Sequence, residues 1–195
     1  KKQRSSFPRS SPVPVQKKKN VDKPREALKG DLYEAHCVGI LLREPELIYR
    51  VDRELGRDGL HRFSEKDFQN TDYRILIRII REALQQHDEE PQSYILHNLT
   101  DDFVEIASNL LDQTLEFNSR TDKVLEDLMR AILSLRQRKI SNSSDHYRYL
   151  LETNHQNGDY KAREYQKNIT NILQEKHKID KAMKRYTSRT AAIHP

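Results

Sequence analysis

From Thr121 onward the apolar residues recur at steps of three and four, a spacing that points to the α-helix and leaves little room for strands. Val124, Leu125, Leu128, Met129, Ile132, Leu133 and Leu135 run on to Ile140, Tyr147, Leu150 and Leu151. The pattern predicts one helix over about 122–156, about 50 Å long at 1.5 Å per residue. Ser141-Asn142-Ser143-Ser144 is poor helix material that could bend it. Ile140, Tyr147 and Leu151 nevertheless keep one face across that stretch, so continuity is expected. Asn157-Gly158 reads as a turn, and Asp159 as the cap of a last helix. There Tyr165, Ile169, Ile172, Ile179, Met183 and Tyr186 follow a coiled-coil rhythm, with Lys176 in the position between Ile172 and Ile179. Two such helices joined by a tight turn make an antiparallel hairpin.

Shorter helical patterns precede this pair. Asp31 and Glu34 have capping-box spacing ahead of Val38, Leu41 and Leu42, so folded structure is expected from Asp31. Pro45 opens a second helix carrying Leu47, Ile48, Val51 and Leu55, which Gly56 and Gly59 end. Ser64 with Asp67 is another N-cap signal. A central helix over about 72–87 carries Tyr73, Leu76, Ile77, Ile80 and Leu84, widened by Ile75 and Ile79. Pro91 starts a short helix, and Thr100 caps another holding Phe103, Ile106, Ala107, Leu110 and Leu111. The expected fold is all-α: a small helical bundle, a long connecting helix and a C-terminal antiparallel helical hairpin. Its expected divisions are a Pro/Lys-rich disordered linker over 1–30, a bundle over 31–136 and a hairpin subdomain over 137–195.

Charge is divided unevenly. Residues 1–30 carry ten Lys/Arg against two acids, and 160–195 carry nine against three. Since the whole chain is only +5, the middle is net acidic. The pI of about 9.2 is therefore no sign that the folded body binds nucleic acid. With 35% hydrophobic and 33% charged residues, thin-cored amphipathic helices suit the chain better than a thick sheet. No apolar run reaches the roughly 18 residues of a membrane span, and Lys1–Ser6 lead into no signal-peptide core. A lone cysteine, Cys37, excludes an internal disulfide and fits a reducing cytoplasm. The opening on Lys1 rather than Met is what a piece of a longer protein would show.

Catalytic patterns are missing. The eight histidines include no i, i+4 pair with the intervening glutamate of a zinc hydrolase, and adjacent His36 and Cys37 point in different directions on a helix. Asp101-Asp102 suits the first turn of a helix better than a metal site. No Walker loop, dinucleotide fingerprint or nucleophile elbow occurs. The expectation is a segment with no catalytic, cofactor or metal residues.

The stretch from Glu34 through Val38-Gly39-Ile40-Leu41-Leu42 to Pro45-Glu46-Leu47 resembles the opening of the C-terminal domain of bacterial replicative primases. Phe68-Gln69-Asn70-Thr71-Asp72-Tyr73 before Ile75-Leu76-Ile77 is similar to that family's second landmark. The Asn157-Gly158-Asp159 turn, with Ile179-Asp180 beyond it, is similar to the third. The resemblance spans about 31–190. It implies a non-catalytic domain that docks primase onto the N-terminal domains of the hexameric replicative helicase and modulates it, the hairpin giving much of the binding. Primer synthesis and its metals would lie in other parts of such a protein.

The partner surface is expected at Tyr160, Tyr165, Ile169, Ile172, Ile179 and Met183, although packing against helix 122–156 is an equal claim on each. Lys176, Lys178, Lys184 and Arg185 would steer an acidic partner or simply face solvent. No strong direct nucleic-acid binding and no membrane contact are expected, and an exposed stripe also permits a hairpin-mediated dimer. Truncating 160–195 is expected to weaken helicase binding while leaving the bundle folded. Two other readings stay open: an N-terminal domain of the helicase itself, and a basic helical nucleic-acid-binding protein.

Overall fold

The computed structural model describes the backbone of residues 25–114, 121–153 and 159–191, with side chains of 32–114, 122–153 and 161–187. Seven α-helices form these residues, with no strand among them: α1 Arg25–Arg43, α2 Leu47–Arg57, α3 Thr71–Gln85, α4 Pro91–Asn98, α5 Asp101–Gln113, α6 Thr121–Thr153 and α7 Asp159–Ala191. The all-α expectation holds. No described helix is long and apolar enough to cross a membrane.

α1 is the axis of the bundle and packs against α3, α5 and α6. Cys37, Val38, Ile40, Leu41 and Leu42 sit on it as a nearly continuous buried run, because neighbours surround it on several sides. The approach of α5 is close at Gly39. A Cβ there would stand 2.7 Å from Thr114 Cγ2 and 2.9 Å from the Leu110 carbonyl oxygen, so this crossing needs glycine. α3 adds Leu76, Ile77, Ile80 and Ala83 to the core, and α2 adds Leu47, Ile48, Val51 and Leu55.

Several boundaries differ from the sequence expectation. α1 starts at Arg25, six residues before Asp31, so 25–30 belong to a helix rather than a linker. Residues 1–24 lie outside the described residues. Glu34 is not a capping residue either. Its carboxylate, 2% exposed, accepts the backbone N–H groups of Gln69 (2.8 Å) and Asn70 (3.0 Å), joining α1 to the entry of α3. Pro45 and Glu46 form a tight turn before α2, with the Ile48 N–H bonded to the Pro45 carbonyl. Gly56 is inside α2, while Gly59, at φ 67°, ends that segment as expected of a left-handed residue. Asn70 caps α3 through the N–H groups of Asp72 and Tyr73.

α6 runs unbroken through Ser141–Ser144. Ser141 and Asn142 are exposed and Ser143 and Ser144 half-buried, so their weak helix propensity costs little against the packing on either side. α7 returns antiparallel along α6. Gln137 bonds Asp180 (3.1 Å) near one end, and the Tyr147 and Tyr165 rings meet (6.1 Å between centroids) toward the other. The expected Asn157-Gly158 turn lies outside the described residues.

The division at 136/137 also shifts. Ile140, Ile179, Ala182 and Tyr186 are buried members of the same core as the bundle. The reason is length: at 33 residues α7 outreaches the free part of α6 and comes back to α2. A truncation at 160 would therefore strip the bundle of core residues, contrary to the expectation that it stays folded.

Candidate docking surface on the hairpin

Beyond Ile140 on α6 and before Ile179 on α7, no described side chain is buried, from Ser141 to Thr153 or from Lys161 to Lys178. The hairpin thus projects from the bundle by about 20 Å, thirteen residues at 1.5 Å each. Two packed helices cannot bury both their faces. Tyr147, Leu150, Leu151, Tyr165, Ile169 and Ile172 are half-buried along the seam. Tyr149 and Leu173 stand outside it, 62% and 49% exposed. Six Lys/Arg against five acids over 141–178 leave this tip close to neutral. A weakly charged surface with aromatic and aliphatic groups suits a protein contact better than a polyanion.

The root of the hairpin is fixed by polar contacts. Tyr186, 2% exposed, donates its hydroxyl to Glu54 Oε2 (3.0 Å) on α2. Burial, followed by the Glu54 carboxylate, pushes the Tyr186 phenol up to about 12. Arg185 pairs with Asp58 at the end of α2 and lies over the Tyr186 ring. On α6, Arg136 is buried and forks onto Asp67, its Nε and Nη2 each 2.9 Å from a carboxylate oxygen. It also donates to the carbonyls of His61 and Arg62, so one guanidinium holds the loop that follows α2. Arg81 and Asp52 grip the same loop at Phe63. The projecting tip is therefore mounted on a rigid base.

The predicted surface residues divide by position along α7. Tyr165 and Ile169 are half-buried on the free tip. Ile172 and Met183 are partly buried against the core. Ile179 is fully buried and offers a partner nothing, a correction that follows from its place in the root. The Tyr160 side chain lies outside the described residues. Arg185 is paired and so is no steering charge, whereas Lys176, Lys178 and Lys184 are exposed. Leu173 was missed, although it follows Ile169 at i+4 and so widens the stripe. Tyr149 carries no such signal, having no apolar neighbour at i+3 or i+4.

His36 and Cys37 diverge as adjacent helical residues should. His36 Nε2 donates to Asp127 Oδ2 (2.7 Å), and Cys37 is sealed in the core, where burial raises its thiol. No group of three His, Cys, Asp or Glu able to hold a metal occurs among the described residues. In class, the chain is a helical bundle with a protruding two-helix arm. No family model matches it, no curated protein is found similar to it, and no solved structure matches it.

Proposed function

We propose that this chain is a non-catalytic docking module whose hairpin tip engages the N-terminal domains of a hexameric replicative helicase. In that role it tethers a primase to the ring and modulates it at a bacterial replication fork, in the cytoplasm. The observation that carries the docking role is the projecting hairpin, an arm without one buried side chain among its described residues yet lined by aromatic and aliphatic groups. The outer faces of such an arm, with Tyr149 and Leu173 left to solvent, add nothing to the chain's own stability, which favours a partner that covers them. The choice of partner rests on the primase resemblance. It is supported by the meeting of two of its landmarks, Glu34 with Gln69-Asn70, through two part-buried hydrogen bonds. Several copies on one ring would make modest single contacts sufficient.

Calorimetric titration of the chain with the cognate helicase, beside single-stranded DNA at physiological salt, tests this. The expected result is helicase binding that Leu173→Glu weakens at least about tenfold, equivalent to about 1.4 kcal/mol, with no change in helicity. DNA binding without helicase affinity would overturn the docking assignment and restore the nucleic-acid reading.

A further inference from the structure

On the bundle, away from the hairpin tip, one groove of about 330 Å³ is lined by four cations, Lys66, Arg74, Arg138 and Lys139. They come from three separate elements: the 3-10 turn Glu65–Asp67, α3 and α6. None of the four forms an ion pair among the described residues. The two acids in the lining are already engaged. Asp67 is neutralised by Arg136, and both Glu34 oxygens accept backbone N–H groups. The groove thus keeps a net excess of about three positive charges, although residues 31–159, which supply it, are net acidic. Arg138 reaches only the amide of Gln69 (3.5 Å), and Lys139 spends one of its three donors on the Lys66 carbonyl (2.7 Å).

We infer that this groove takes phosphate groups of a single-stranded nucleic-acid backbone, gripped by Lys66, Arg74, Arg138 and Lys139 without reading the bases. The absence of base reading follows from Phe68, the aromatic ring in the lining. It is 4% exposed and locked edge-on against Phe63, so no aromatic face is free for stacking. A free nucleotide would lack the base contacts it needs, whereas successive phosphates require only cations. Three or four phosphate contacts make a weak, salt-sensitive site, useful to a module held near a strand by another contact. This inference is independent of the hairpin's partner.

The test is fluorescence anisotropy of a labelled oligothymidylate with the full chain at low and physiological salt. Lys66→Glu/Arg74→Glu reverses two exposed cations of the groove. Lys161→Glu/Lys167→Glu makes the same charge change on the hairpin as a control. The groove variant is expected to bind at least about tenfold more weakly, with a salt slope shallower by about 1.4, as loss of two single-strand phosphate contacts implies. The control should lose less than about threefold. Equal losses in both variants would assign binding to overall charge and overturn the site, as would wild-type affinity in the groove variant. Inorganic phosphate displacing the oligonucleotide at equal concentration would overturn backbone tracking. An acidic peptide that outcompetes the oligonucleotide would replace nucleic acid with a protein ligand.

Discussion

Gly39 and His36, three residues and just under one helical turn apart on α1, show how single side chains set the bundle. Adding a methyl at Gly39 improves helix propensity by about 1 kcal/mol, but it drives a Cβ against the Leu110 carbonyl oxygen at 2.9 Å. Backbone cannot yield as a flexible side chain does, and overpacking of this kind costs about 1–3 kcal/mol. Gly39→Ala should therefore lower stability by up to about 2 kcal/mol in urea titration. Adding Thr114→Ser removes the Cγ2 clash and should restore only part, because the carbonyl remains. His36 acts through Asp127, whose carboxyl is held below the usual range, first by the His36 hydrogen bond, against desolvation, and then by the His36 and Arg130 charges. A carboxyl with a depressed folded pKa stabilises above its unfolded value of about 4. That stabilisation is lost as pH falls through the folded value. Between pH 5 and 2, Asp127→Asn should flatten the acid loss of stability seen by circular dichroism. An unchanged acid limb would mean the pair contributes nothing. The sequence marked both positions, Gly39 within a motif and His36 as pointing away from Cys37, but their partners on α5 and α6 were not legible, since spacing along a helix does not say which helix lies opposite.

Elements were more legible than contacts. Helical periodicity located α2 to α7 because each buries one face, and periodicity reports burial of a face. It failed at the start of α1, where Arg25 to Gly30 show no apolar rhythm to mark a helix. It also could not weigh polar groups that act across elements, of which Arg136 is the clearest. That arginine interrupts an apolar stretch of α6 and would pass for a solvated position, yet its side chain is 7% exposed. Arg136→Ala leaves Asp67 and two carbonyls without their donor, and breaking a buried pair in this way costs about 3–5 kcal/mol. Arg136→Lys should recover little, because an ammonium cannot form the fork. Thermal unfolding of the three proteins measures this. A loss under about 1 kcal/mol for the alanine variant would place the loop's stability with Arg81 and Asp52 instead.

At the scale of the molecule, α6 and α7 each belong to two regions, a root inside the bundle core and a tip outside it. Periodicity runs evenly through both, which is why the stripe on α7 could not reveal that Ile179 is buried while Tyr165 and Ile169 are only half-covered. The distinction separates two deletions that look alike in sequence. Ending the chain at residue 158 removes Ile179, Ala182 and Tyr186 from the core, together with the Tyr186–Glu54 hydrogen bond. Large-to-small losses at such positions cost about 2–5 kcal/mol each, against a total stability of about 5–15, so that product should be largely unfolded at 37 °C. Excising 144–172 and joining Ser143 to Leu173 by a short glycine linker should behave differently. These ends lie opposite each other in the register set by Gln137–Asp180 and Tyr147–Tyr165, and no described residue lost is buried. That shortened chain should keep cooperative unfolding and most of its midpoint while losing affinity for the partner of the hairpin. Preserved affinity would move the docking surface to the bundle, where Leu32, Tyr33, Tyr49, Leu96 and Val104 are exposed apolar groups to test next. A collapse of cooperativity would instead show that the tip, despite its exposure, helps hold the root in place.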